Sequence, residues 1–219
     1  MKIQKTKDGS HTLVSKEFGE LYHSSNGSIQ EAEHIFMKNG LHNLEKEEIS
    51  VFEMGFGSGL NAILAYYFAK ENNKTINYTT IEAFPVSIET IEQLNYNDFL
   101  EKENFDKNFL KLHKTDWNKI VSISDFFSIE KLHQKIEYLD VSKLEKQDIV
   151  FYDAFAPNAQ ANLWEETVLQ KMYDLLKPNG FLITYCAKGI FKRTLKSIGF
   201  EVVALPGPIG KREITMAKK

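Results

Sequence analysis

From residue 50 onward, short apolar runs alternate with stretches whose apolar residues recur at helical spacing. Ser50-Val-Phe-Glu-Met-Gly55 reads as a strand running into a glycine-rich turn, and Leu60–Lys70 as the helix after it. Ile76–Ala83 alternates into a second strand. Pro85 suits the first turn of a helix over Val86–Leu100, where a missing amide hydrogen costs nothing. Asp148-Ile-Val-Phe-Tyr-Asp153 is apolar almost throughout, as a strand covered on both faces should be. Leu163–Leu176 predicts a helix stopped by Lys177-Pro-Asn-Gly180, Phe181–Cys186 a further buried strand, and Gly189–Ile198 a helix capped by Gly199. Glu201–Leu205 and Glu213–Ala217 are joined by Pro206-Gly-Pro-Ile-Gly210, too few residues for a helix, which predicts an antiparallel edge hairpin.

The flanks are less regular. Residues 1–24 read as irregular or weakly stranded. Ser28–Leu41 predicts a helix with Ile29, Ala32, Ile35 and Phe36 on one face. Between residues 101 and 147, Ile120–Ile129 and Ile136–Val141 are candidate strands, as a hairpin or as an insertion beside the third sheet strand. Strands alternating with helices imply an α/β fold with a mainly parallel sheet wound on both sides. The division expected is an N-terminal extension and helix over 1–45 and the main domain over 46–219.

The chemistry starts at the first turn. Gly55, Gly57 and Gly59 occupy alternate positions after a strand, which lets the backbone turn tightly and approach a ligand. About two dozen residues on, Glu82 ends the second strand, where a carboxylate can grip the hydroxyls of a ribose. A dinucleotide site would use G-x-G-x-x-G and rest a pyrophosphate on the helix N-terminus. Here the spacing is G-x-G-x-G, and Glu53 stands two residues ahead of it. An acid there suits a ligand with a cationic end, such as the amino group or sulfonium of S-adenosylmethionine. On the turn alone three readings stay open: a methyl donor, an NAD or FAD, or a structural turn without ligand.

Bulk properties narrow the class. The 219 residues, 42% hydrophobic and 26% charged, suffice for one well-buried globular domain. No apolar run approaches the roughly 20 residues that span a bilayer. The first residues lack a signal-peptide core. The one cysteine, Cys186, excludes an internal disulfide and fits a cytoplasmic protein. The net charge of −3 is uneven: residues 171–219 carry ten basic and three acidic side chains, while the first 170 carry seventeen and twenty-seven. One region can therefore meet phosphates on an acidic molecule. Lys188, Lys192, Arg193, Lys196, Lys211 and Arg212 are the phosphate candidates, an ordinary solvated surface being the alternative.

In a doubly wound sheet the fourth strand delivers Asp153-Ala-Phe-Ala-Pro157 to the ligand edge. Asp153 can position an amine or accept its proton, and Phe155 can face a planar base. With Leu21-Tyr-His-Ser-Ser-Asn-Gly-Ser-Ile-Gln-Glu-Ala-Glu-His34, Phe52-Glu-Met-Gly-Phe-Gly-Ser-Gly-Leu-Asn61 and Pro206-Gly-Pro-Ile-Gly-Lys-Arg-Glu213 in order, the chain resembles the methyltransferase half of MnmC and its stand-alone relatives, MnmD. The resemblance runs from about residue 19 to the end and is weakest over 101–147. It implies a Rossmann-like class I SAM-dependent methyltransferase fold. It also implies methyl transfer to the aminomethyl nitrogen on C5 of the wobble uridine of tRNA, giving 5-methylaminomethyl-2-thiouridine.

By position, the resemblance implies that Glu53, Gly55, Gly57, Gly59 and Asn61 line the methionine end. Glu82 would hold the ribose, Phe84 border the adenine and Asp140 meet the adenine edge, with Tyr22 and Ser24 closing over the cofactor. Asp153 becomes the active-site acid. Phe155, Trp164 and Tyr185 are candidates to stack on an unstacked base, with packing at the start of its helix the other reading of Trp164, and Pro157 would lie with the substrate. The bifunctional relatives carry a flavin-dependent oxidase domain for which this chain has no room, so flavin is not expected; no metal or membrane is implied. The rivals are methylation of a small-molecule or protein amine, an NAD(P)-dependent oxidoreductase and a non-catalytic RNA-binding module.

Overall fold

The computed structural model describes residues 1–219. In chain order it contains β1 (Lys2–Lys5), β2 (His11–Val14), α1 (Ser28–Ala32, widening into a π-helical turn over Glu33–Lys38), β3 (Glu48–Met54), α2 (Leu60–Asn72) and β4 (Thr75–Glu82). Then follow α3 (Ile88–Ile91), α4 (Asn97–Leu100), α5 (Phe105–Lys114), β5 (Ile120–Ser124), β6 (Phe127–His133) and β7 (Gln147–Tyr152). The chain closes with α6 (Glu166–Leu175), β8 (Leu176–Thr184), α7 (Gly189–Ile198), β9 (Glu201–Pro206) and β10 (Glu213–Lys218). Eight strands form one sheet in the order β5-β6-β4-β3-β7-β8-β10-β9. The five from β6 to β8 are parallel, and β10 runs antiparallel between β8 and β9. The predicted parallel sheet with its closing hairpin is therefore present, and β1 pairs with β2 in a separate ribbon.

The apolar runs have a simple cause. Successive strand residues point to opposite faces, and here both faces are covered. Ile49 and Val51 of β3 and Ile149 and Phe151 of β7 enter a core shared with α1, α2 and α5. Phe52, Met54, Val150 and Tyr152 enter the other, beneath α6 and α7. At the amino ends of the strands, buried Asp148 ties three segments together. It accepts the Ser50 amide and the Lys177 ammonium, each at 2.9 Å, and also pairs with Lys46. No helix is long and apolar enough to cross a membrane.

Several elements depart from the sequence reading. The helix expected over Val86–Leu100 is broken into α3 and α4, with Pro85 outside both. Asn95, between them, bonds instead to the β1–β2 turn: its Oδ1 accepts the His11 amide at 2.7 Å and its Nδ2 donates to the Gly9 carbonyl at 3.1 Å. Ile120–Ile129 holds two strands, β5 and the start of β6, folded as an antiparallel hairpin. Ile136–Val141 is no strand but short 3₁₀ turns, Ile136–Tyr138 and Val141–Lys143, and Phe105–Lys114 is a helix that the reading missed. The helix expected from Leu163 begins at Glu166 after a 3₁₀ turn, and β8 already starts at Leu176.

Candidate active site

From β3 the chain moves to β4 on one side, and from β7 to β8 on the other, so the strand ends part between β3 and β7. Such a switch point opens a crevice at the carboxyl edge. A cleft of about 630 Å³ lies there. Its floor is the glycine turn. One wall is Glu82–Phe84 after β4 with Gln134–Glu137 after β6, and the other is Asp153–Ala156 after β7 with Tyr185 after β8. Residues from Glu17 to Ser25, with Glu31 and Lys211, complete it.

All three turn glycines have left-handed backbones, with φ of 91°, 53° and 74° for Gly55, Gly57 and Gly59. The requirement is steric at Gly59 as well, where a Cβ would fall 2.5 Å from His113 Nε2. His113 is itself held: Nε2 lies 3.2 Å from the Ser58 carbonyl, and Lys131 Nζ donates to the His113 carbonyl at 2.7 Å. Burial pushes the His113 imidazole down to about 3. The Gly57 amide donates to Glu82 Oε2 at 2.9 Å, and the Phe84 amide to Glu82 Oε1 at 2.8 Å. Glu82 thus stands at the cleft with its carboxylate bonded to the turn.

Asp153 faces the glycine turn from the end of β7. Its Oδ2 accepts a hydrogen bond from Asn61 Nδ2 at 2.8 Å. Burial raises the carboxyl to about 7, against the opposing pull of the Asn61 bond. Tyr185 donates to the Ala154 carbonyl at 2.8 Å. Phe155 lines the cleft with its ring 5.0 Å from Tyr22 and 5.2 Å from Phe18, and Phe18 also meets Phe84 at 6.3 Å. Trp164 is buried and donates to the Phe155 carbonyl at 2.7 Å, which fits packing and not stacking on a base.

Four expectations need correction. Glu53 is not on the cleft wall. It is 1% exposed beneath the turn, and burial drives its carboxyl well above the usual range against the opposing pull of Thr80, Asn61 and Tyr78. Asp140 lies outside the cleft because its carboxylate bonds its own turn, taking the Ser142 amide at 3.2 Å and hydroxyl at 2.6 Å. The residues brought to that wall are Gln134–Glu137. Pro157 is half-buried just beyond the lining. Among the basic candidates, Lys192 pairs with Glu213 at 2.6 Å and Lys211 turns into the cleft to Glu31, while Lys188 bonds Asn158 at 2.6 Å. Arg193, Lys196 and Arg212 are exposed.

The reading also missed Phe18, Ile136 and Glu31. Only Glu31 had a signal, its place inside the Leu21–His34 motif. Electrostatically the cleft is acidic: Glu17, Glu20, Glu31, Glu82, Glu137 and Asp153 face Lys135 and Lys211. It therefore favours cationic groups and resists phosphates.

A family model described as S-adenosyl-L-methionine-dependent methyltransferase matches residues 88–219. The tRNA 5-methylaminomethyl-2-thiouridine biosynthesis bifunctional protein MnmC of Leptospira interrogans is 27% identical over 218 residues, covering 93% of this chain and 33% of that protein. Its counterpart in Cupriavidus metallidurans is 26% identical over 225 residues, with 94% and 32% covered. The chain spans about a third of the length of the curated relatives it matches. Among solved structures, MNMC2 from Aquifex aeolicus is similar with a TM-score of 0.80 and 25% identity, over 99% of this chain and 69% of that one. The CMeT domain of the citrinin polyketide synthase shares the fold alone, with a TM-score of 0.54 and 17% identity over 90% of this chain and 54% of that one.

Proposed function

The chain belongs to this S-adenosyl-L-methionine-dependent methyltransferase family, and we propose that its acceptor is the aminomethyl nitrogen on C5 of the wobble (2-thio)uridine of tRNA. The product is then 5-methylaminomethyl-2-thiouridine. One observation carries the reading: a carboxylate of raised pKa, oriented by Asn61, faces the glycine turn inside an acidic cleft. The names of the relatives supply the acceptor.

The residues present fit the donor. The cleft falls within the roughly 300–1,000 Å³ that small-molecule sites occupy. Asn61 Oδ1 is buried without a partner, so a cationic group at the methionine end would satisfy it where a pyrophosphate would not. Gly55, Gly57, Gly59 and Asn61 take that end and Glu82 the ribose. Phe84 and Ile136 border the adenine, while Tyr22 and Ser24 close above. Glu53 acts from below the floor as a neutral buried acid. When bound, adenosylmethionine supplies a methyl group activated by its sulfonium.

Asp153 does the remaining work. Asn61 holds Oδ2, leaving Oδ1 to accept a hydrogen bond from the acceptor nitrogen and align its lone pair. As the nitrogen forms its N–C bond it sheds one proton, and a carboxylate of pKa about 7 is suited to take it and pass it to water. Phe155 offers its ring to the uracil, with Tyr185 beside it. Lys188, Arg193, Lys196 and Arg212 meet phosphates outside, since the acidic cleft admits only the base. This substrate places the protein in the cytoplasm, and the reading calls on no flavin or metal.

The test is incubation with labelled adenosylmethionine and tRNA from cells lacking the activity, followed by nucleoside mass spectrometry, with a polyamine and a peptide in parallel. Label in a 5-methylaminomethyl nucleoside is expected. Label on the polyamine or peptide alone, or tRNA binding without transfer, would refute the assignment.

A further inference from the structure

Lys211 follows the glycine-proline turn between β9 and β10. While its neighbour Arg212 is exposed, Lys211 reaches back into the cleft. Its Nζ lies 2.5 Å from Glu31 Oε1 and 4.1 Å from the centre of the Tyr185 ring. Glu31 is only 8% exposed on α1, and its other oxygen accepts the Ser24 amide at 2.7 Å. Tyr185 in turn bonds the carbonyl of Ala154, the residue after Asp153. One ion pair therefore joins the β9–β10 loop, α1, the Tyr22–Ser24 segment and the end of β8 around a single carboxylate. Buried ion pairs contribute little net stability over apolar residues of the same size, which leaves stability a poor reason for its presence.

We propose that the Glu31–Lys211 pair is a positioning device for the acceptor amine, fixing Tyr185 and residues 22–24 around Asp153 and setting the charge that the amine meets. The inference rests on the amine-methylation reading, which itself uses neither residue. Two anionic carboxylates at this wall would hold an incoming amine as ammonium, the form without a free lone pair. A cation already seated there opposes that, so the amine is retained as the neutral nucleophile. Asp153 feels the same two charges with opposite sign: beyond burial and the Asn61 bond, Glu31 pushes its carboxyl up and Lys211 pulls it down. Asn61 from α2, Glu53 from β3, Tyr78 from β4 and Tyr185 just after β8 also surround it. Glu53, both tyrosines and His23, which faces the pair and is pushed by burial down to about 4, are neutral near pH 7, so Glu31 and Lys211 are the charges that matter there.

The experiment follows Asp153 by carboxyl-carbon NMR against pH in the wild type and in Lys211→Met, Glu31→Gln and Lys211→Arg, with methyl transfer measured over the same range. Lys211→Met should move the Asp153 titration up by about half a pH unit or more, and Glu31→Gln should move it down by a similar amount. Lys211→Arg should restore the wild-type curve. In Lys211→Met kcat should fall while the donor KM holds. Shifts of one sign in both charge-removing variants, or none in either, would overturn the proposal. Should Glu31→Gln fail to fold, Lys211→Met against Lys211→Arg decides alone: a shift that arginine reverses sustains the proposal, and identical curves reject it. Opposite shifts in a protein that methylates no amine would refute the function proposed above while sustaining the pair's electrostatic role.

Discussion

Gly59→Ala puts a side chain where the turn has no space for one. At φ 74° the backbone is left-handed, which costs a residue with a Cβ about 1–2 kcal/mol. The new methyl would also fall 2.5 Å from His113 Nε2. That ring cannot swing aside freely: it lies 4.9 Å from Phe56 and 4.7 Å from Phe109, with Nε2 directed at the Ser58 carbonyl. Forcing an extra carbon into such packing costs about 1–3 kcal/mol, so the two effects together come to about 2–5 kcal/mol. Urea unfolding measures the loss, and calorimetry with adenosylmethionine should show affinity falling by about tenfold as the turn shifts, about 1.4 kcal/mol. The steric share is separable. A His113→Ala background removes the clash with the ring and leaves the left-handed strain and a 3.2 Å approach to Phe56 Cζ, so the double-mutant cycle should show a coupling of about 1–2 kcal/mol, the larger part of the steric cost. Additive effects, or a Gly59→Ala cost below about 0.5 kcal/mol, would refute this account of the turn.

Other consequences are equally direct. Folded Asp153 titrates near 7 against 3.8 for the free side chain, so it destabilises the fold progressively as pH rises from about 4 to 7. Asp153→Asn should therefore unfold several degrees higher than wild type at pH 8, at about 2–4 °C per kcal/mol, and no higher at pH 4, by calorimetry; an equal gain at both would contradict the shift. Burial pushes the Asp148 carboxyl up, but bonds from Lys177, Lys46 and the Ser50 amide outweigh it and hold it below its ordinary value of 3.8. Its contribution is then complete above about pH 4 and fades as pH falls further. Asp148→Asn should cost about 2–3 kcal/mol in urea at pH 7 and less at pH 3. Replacing Arg193, Lys196 and Arg212 together by alanine should weaken tRNA binding and flatten its log K against log salt plot by about 2–3, leaving donor affinity unchanged. An unchanged slope would remove them from the RNA surface.

Where burial alone decided the outcome, the sequence was a good guide. β7 is covered on both faces, so Ile149–Tyr152 had to be apolar at consecutive positions, and the run gives the strand away. The three glycines were legible because left-handed backbone leaves few other choices. Elements held by distant partners were not. Nothing local says that Asn95 will bond the β1–β2 turn and split a helix, or that Asp140 will satisfy its own turn and leave the wall to Gln134–Glu137. Glu53 was read by its place in the chain, but its side chain points under the turn. Lys211 looked like one more surface cation because its partner, Glu31, belongs to the other end of the sequence. α5 was overlooked although Phe105, Phe109 and Leu112 follow helical spacing, because its flanks carry no clear cap.

The central claim is that Asp153 serves the transfer of a methyl group to an RNA amine and not the holding of the donor. A single-turnover assay tests it, using preformed enzyme–adenosylmethionine complex and tRNA bearing the aminomethyl wobble nucleoside. Wild type should place one methyl on the side-chain nitrogen, and Asp153→Ala should slow that step by about 10²–10⁴-fold while its donor affinity stays near the wild-type value. An unslowed variant, a parallel loss of donor affinity, or a methyl group found on any other atom of the tRNA would contradict the account.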